Sequence, residues 1–184
     1  MHGKIDYVHY VPDVPLNPDF DRGFTRILVE DLNQIKVPDG DYYMAWDTET
    51  SGLDASKDYI VGCSFTFDGK TAYYIPIKHR LGHNFGNDGL AFFNDIIHKS
   101  KLCLLYNCQF DFRFMEWSGF NMEGVPYSDV MINTWLADTN IPMPSLKGSV
   151  KKFLGWQMTL FEEVLGEEVN ASFLDSKQIY SYVS

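Results

Sequence analysis

Leu102-Cys103-Leu104-Leu105-Tyr106 constrains the fold more than any other stretch of this 184-residue chain. Five apolar residues in unbroken succession, with helical patterns on both sides, read as a strand buried within a sheet. Before it, Leu90, Phe93 and Ile97 share one face of a helix expected from Asp88 to Ser100. After it, Phe110, Phe114 and Trp117 recur at i, i+4 and i+7, and Gly119 supplies a stop. The upstream half follows a shorter period. Strands are expected over Tyr42–Thr48, Ile60–Phe67 and Thr71–Ile77, the last two joined by an Asp68-Gly69 hairpin turn. Smaller elements complete the pattern: a strand over Arg26–Val29, a brief helix over Leu32–Ile35 capped by Asp31, and a helix over Val130–Ala137 opened by Asp129. A further helix carries Leu146, Val150, Phe153 and Leu154 on one face. Three antiparallel-type strands followed by helix, strand and helix specify an α/β fold, a mixed central sheet flanked by helices.

The length suits one domain with a substantial core, and 45% hydrophobic with 16% aromatic residues is the composition of a folded chain. Residues 1–25, with Pro12, Pro15 and Pro18, read as an extended leader, and residues 26–184 as the domain. No apolar run approaches a membrane span and MHGKIDYVHY lacks a signal-peptide core, so a soluble, intracellular chain is expected. The three cysteines, Cys63, Cys103 and Cys108, are unpaired in pattern and read as reduced. His79 and His83 lie in a loop-like run without a nearby cysteine, a poor zinc pattern. The formal charge of −10 argues against a stand-alone nucleic-acid binder, which usually carries a basic face, unless a neighbouring domain supplies it. Acidic totals also accompany carboxylate sites for divalent metals.

The chemistry concentrates in Met44-Ala45-Trp46-Asp47-Thr48-Glu49-Thr50. Asp47 and Glu49, two positions apart in a strand, point to the same side, where like charges repel and lose water unless a cation stands between them. A second signal follows the buried strand: Asn107-Cys108-Gln109-Phe110-Asp111, at the start of a helix, where a carboxylate can aim back over the sheet edge. Taken alone, Asn107 reads equally as a helix cap, and Asp111 as a solvated first-turn acid. Together, three hard oxygen ligands suit Mg²⁺ or Mn²⁺, and a two-ion site of that kind can cleave phosphodiesters.

Asp47-x-Glu49 with Thr50-Ser51-Gly52-Leu53, then Asn107-x-x-x-Asp111, resembles the DEDD (DnaQ-like) 3′–5′ exonucleases of RNase H-like fold. The closest branch is the proofreading domain of family A DNA polymerases. Tyr127-Ser128-Asp129, Ser145-Leu146-Lys147 and Phe153-Leu154-Gly155 follow in that family's order. The resemblance implies that Asp47 bridges both metals, that Glu49 binds one and orients the attacking water, and that Asp111 holds the second. It also implies that Thr48, Leu53 and Asn107 meet the substrate, Leu53 as an apolar wedge against the terminal base. Asp129 reads as a helix cap rather than a catalytic group, and Lys147, Lys151 and Lys152 as a solvated face or as phosphate contacts.

The chain departs from the family at the third motif, a Tyr followed four positions later by a metal-binding Asp. With Tyr182 as the catalytic Tyr, that Asp falls beyond Ser184; with Tyr180, its place is Ser184; Asp175 fits neither register, since Ala171 stands where its Tyr belongs. The sequence therefore reads as a domain incomplete at its C-terminus, weakly active or inactive, expected to be followed by a polymerase domain carrying the basic cleft. The expected partner is a single-stranded DNA 3′ end, and the expected setting the cytoplasm of a bacterium or phage-infected host. Two other readings stay open: a non-catalytic module binding single strands or a protein partner, and an RNA-trimming nuclease of the RNase D type.

Overall fold

The computed structural model describes residues 25–140 and 145–155. The expected leader, apart from its last residue, and Tyr180 and Tyr182 lie outside these residues. Strand β2, Tyr43–Thr50, is the axis of the fold. It alternates: Met44, Trp46 and Thr48 are buried, whereas Tyr43 and Asp47 are exposed. Strand β3, Ile60–Thr66, pairs with it antiparallel, and β4, Thr71–Pro76, pairs antiparallel with β3. The turn between β3 and β4 is built from its own residues. Gly69 takes φ +66°, and Asp68 Oδ1 accepts from the amides of Lys70 at 2.8 Å and Thr71 at 2.7 Å.

Strand β1, Thr25–Leu28, lies parallel to β4 at one edge. A short 3₁₀ turn, Leu32–Gln34, follows, with Asp31 and Gln34 forming a capping box. On the other side of β2, strand β5, Leu102–Leu105, runs parallel to it, and β6, Tyr127–Asp129, parallel to β5. The sheet order is β1-β4-β3-β2-β5-β6. The mixed sheet matches the sequence expectation; β6, three residues long, is an element that reading missed.

Helix α1, Gly86–Lys99, buries Leu90, Phe93, Ile96 and Ile97 against one sheet face. Register puts Trp46 opposite Phe65, and Phe65 opposite Tyr73, on that face. Phe93 sits between them, its ring 5.4 Å from Trp46 edge-on and 5.6 Å from Phe65. Helix α2, Cys108–Trp117, adds Phe114 and Met115 to the same core. Its buried side is Cys108, Asp111, Phe114 and Met115, so the expected Phe110–Phe114–Trp117 stripe is only partly right: Trp117 is 64% exposed. The buried face is rotated by part of a turn from the expected stripe, because the helix turns Asp111 inward. Helices α3, Val130–Ala137, and α4, Leu146–Leu154, complete the described elements. The face predicted on α4 is present, but Leu146, Phe153 and Leu154 are exposed, and among the described residues of α4 only Ser149 is buried.

Strand β5 is less enclosed than its apolar run implied. Cys103 and Leu105 are buried but Leu102 and Leu104 only half so. Leu104 pairs with Ala45, which shares its side of β2 with Asp47 and Glu49. That side of the sheet, away from α1, is where the chemistry lies.

Candidate active site

Strand β2 pairs with β5 only from Tyr43 to Ala45, then runs five residues further. Beyond that point the neighbouring chain leaves the sheet through Tyr106 and Asn107 and enters α2. The space beside the end of β2 is filled by a side chain of α2. Asp111 Oδ1 accepts from the Thr48 amide at 2.9 Å and from the Thr48 hydroxyl at 2.6 Å. Asp111 is 1% exposed and Thr48 5%. The two halves of the sequence signal, about sixty residues apart, are therefore bonded to each other.

Across the ladder on the other side, Asp47 lies opposite Ser64 and Glu49 opposite Gly62, and the register shifts between Glu49 and Thr50. Such an irregularity at a strand end re-aims the side chains beside it. Gly62 is required there: a Cβ would stand 1.9 Å from the hydroxyl of Tyr74, a buried residue whose oxygen also bonds His79 Nε2 at 2.8 Å. Close packing of Tyr74 over Gly62 forms the floor beside Glu49.

Three carboxyls so placed crowd one another, and Glu49 and Asp111 are also short of water. Burial first, and then the charge of Glu49, raise Asp47 to about 7. Burial and then Asp111 raise Glu49 to about 7, while Lys147 of α4 pulls it the other way. Asp111 is pushed up to about 8 by burial and then by Asp47, against the pull of its Thr48 bonds. Asp47 keeps contact with water, so screening weakens its share. Beneath them, burial and then the same three carboxylates keep the Cys63 thiol firmly protonated. Cys63, Cys103 and Cys108 are all free and buried.

The donor set is oxygen-only, hard and anionic, the chemistry that suits Mg²⁺ or Mn²⁺. Among the described residues no group of three or more His, Cys, Asp or Glu side chains is drawn together as a ready cage. The fit to a divalent ion thus lies in charge and donor type. A cation here would offset the repulsion that raises all three groups.

The other predicted residues take definite places. Leu53 is 83% exposed on the loop after β2. Asn107 occupies the N-cap position of α2 in a left-handed conformation, φ 64°, and its side chain makes no capping bond, contrary to the reading of it as a side-chain cap. Asp129 does cap α3, accepting from the Met131 amide at 2.9 Å. It also takes the amides of Asn107 and Cys108, a contact that no sequence spacing announces. Lys152 pairs with Asp138, whereas Lys147 is the lysine that acts on Glu49. Tyr182 lies outside the described residues.

A family profile described as 3′–5′ exonuclease matches residues 23–181. The chain is 31% identical to DNA polymerase I of Borreliella burgdorferi over 159 residues, which is 85% of this chain and 16% of that protein. It is 32% identical to DNA polymerase I of Synechocystis over 105 residues, 53% of this chain and 10% of that protein. It therefore spans about a sixth or less of the length of these relatives. Among solved structures, Brucella melitensis NrnC bound to pGG superposes with a TM-score of 0.57 at 19% identity, covering 86% of this chain and 72% of that one. The same protein with bound Mg²⁺ gives 0.56 at 19% identity, with the same coverage. These structures share the RNase H-like fold. The chain belongs to the 3′–5′ exonuclease domain family of DNA polymerase I.

Proposed function

We propose that this chain is the proofreading exonuclease domain of a DNA polymerase, releasing nucleoside monophosphates from a single-stranded 3′ end by in-line attack of water. The observation that carries the reading is the pair of bonds from Thr48 to Asp111, which sets that acid beside the end of β2 where Asp47 and Glu49 stand, each of the three raised in part by a neighbouring carboxylate. Asp47, Glu49 and Asp111 would hold Mg²⁺ or Mn²⁺, and two such ions would supply the positive charge that activates water and steadies the departing oxygen. The residues of the chain do the positioning. Glu49, half-buried opposite Gly62, would orient the water, and Thr48 holds Asp111 to the strand. Leu53, exposed beside the strand end, is available to wedge against the terminal base. Asn107, at the N-cap of α2, would hold the substrate end.

The formal charge of −10 opposes the approach of DNA, so we assign the positive charge that would hold the strand to a polymerase domain of a longer protein, the matched relatives being named DNA polymerase I. Among the described residues no helix is long and apolar enough to cross a membrane. We place the enzyme in the cytoplasm with its DNA.

The test is a denaturing gel of 5′-labelled single-stranded DNA with Mn²⁺, with Asp47→Ala alongside. A ladder receding from the 3′ end, absent in the variant, supports the reading. The same gel beside a strand-binding measurement separates an enzyme from a binding module: a chain that binds strands but never shortens them overturns the enzymatic reading. Matched RNA strands cut faster than DNA would move the assignment to an RNA-trimming nuclease.

A further inference from the structure

We propose that Asp129 is a positioning residue for the site, fixing the left-handed turn at Asn107 and, through it, the place of Asp111 at the end of β2. The proposal rests on the functional reading above for its consequence in catalysis, and on independent geometry for the placement itself.

Asp129 is 8% exposed and ends β6, opposite Leu105, the last residue of β5. Its carboxylate faces the chain leaving β5. Oδ1 accepts from the Asn107 amide at 3.1 Å and from the Met131 amide at 2.9 Å, and Oδ2 from the Cys108 amide at 3.0 Å. The first amides of a helix have no partner within it. Here two consecutive amides at the start of α2, together with one at the start of α3, are satisfied by a single carboxylate 21 and 22 residues along the chain from the α2 pair. Burial alone would raise that carboxyl, yet the amide donors hold it below its ordinary range. It is therefore a full negative charge set against the positive end of α2.

Asn107 needs such a clamp. It is the one non-glycine residue with positive φ among the described residues; asparagine tolerates that conformation better than other side-chain-bearing residues, but it still costs free energy that bonds from its surroundings offset. Its own side chain contributes no capping bond. The direction in which α2 departs, and hence where its first-turn Asp111 lands, is set by this turn. Within that first turn Asp111 meets Thr48. Asp129, the α2 start, Asp111 and Thr48 form one continuous brace across β6, β5 and β2.

The Thr48 amide, bonded to Asp111 Oδ1, reports the placement of Asp111 whether or not the chain cuts DNA. Amide hydrogen exchange on the chain and on its Asp129→Ala variant should show protection falling together at Asn107, Cys108 and Thr48. Mn²⁺ binding followed by electron paramagnetic resonance should weaken about tenfold or more, the usual loss for a residue that orients a ligand. On strand cleavage, kcat should fall about tenfold or more while KM for DNA moves less than about twofold. Asp129→Asn, which keeps its shape and one acceptor oxygen, should fall between and covers the case in which the alanine variant does not fold. Asn107→Gly supplies the readout that a merely structural role would not move. Glycine holds positive φ unaided, so the loss on Asp129→Ala should shrink in that background. A Thr48 amide unchanged by both Asp129 variants overturns the proposal, as does an equal loss in the Asn107→Gly background. A chain that cleaves nothing and binds no Mn²⁺, yet loses Thr48 protection on Asp129→Ala, refutes the functional reading and leaves the positioning intact.

Discussion

Replacing Asp111 by asparagine should make the metal-free chain more stable above neutral pH while abolishing strand cleavage. Asparagine keeps an oxygen for the Thr48 amide and hydroxyl, now 2.9 and 2.6 Å away, so both bonds survive and only the charge is removed. Folding lifts Asp111 from an ordinary 3.8 to about 8, by burial and then by the charge of Asp47. An acid raised in the folded state binds its proton more tightly there than when unfolded. Its favourable contribution is complete below the unfolded value, near pH 4, and is lost as pH rises through the folded value, near pH 8. Taken alone, a displacement of this size corresponds to roughly 6 kcal/mol. Three interacting carboxylates share it, and Asp47 is partly screened by water, so removing one charge should return only about 1–3 kcal/mol. In a chain of this size that raises the thermal midpoint by about 2–12 °C at about pH 8.5, and by roughly a third of that or less at about pH 5. Melts in chelator at the two pH values check this. Added Mg²⁺ should then stabilise the wild type at high pH more than the variant, since it acts on the same charge. A variant less stable at high pH would mean that the buried charge is not a liability. An equal gain at both pH values would mean that packing, not charge, was altered.

The remaining predictions concern the scaffold. Gly62→Ala forces a methyl to within 1.9 Å of the pinned Tyr74 hydroxyl, and should cost about 1–3 kcal/mol; an unchanged midpoint would mean that Tyr74 moves freely. Phe93→Ala empties a fully buried position that touches Trp46 and Phe65, and should cost about 3–5 kcal/mol in denaturant unfolding, with a smaller loss counting against a rigid aromatic core. Ser145→Ala removes the hydroxyl that accepts from the Gly148 amide at 3.1 Å and opens α4. It should cost about 1 kcal/mol and, by loosening the helix that carries Lys147, reduce cleavage with stability largely kept. Unaltered cleavage would detach Lys147 from the site.

The sequence disclosed what its local periods encode. Alternation along Tyr43–Thr50, the Asp68-Gly69 turn and the apolar repeat of α1 each follow from contacts within a few residues, and the mixed sheet they imply is observed, with β6 added at its edge. Strand β6 was missed because three residues are too few to show a period, and its partner lies more than twenty residues back. The face of α2 was misjudged for a related reason. A count of apolar residues favours Trp117, but the helix is turned by two polar bonds: Asp129 at its start and Thr48 holding Asp111 inward. Those bonds join residues 22 and 63 positions apart, a distance over which no propensity or spacing rule operates. The carboxylates themselves were legible, since two acids at the end of an apolar strand contradict the pattern around them. What could not be read was the structure that keeps them there. A buried acid shows in sequence as an exception, but the hydrogen bonds that make the exception tolerable come from elements that look ordinary on their own. Asp129 reads as a plain helix cap, and Thr48 as a residue for the substrate, until the fold sets both against the first turn of the same short helix.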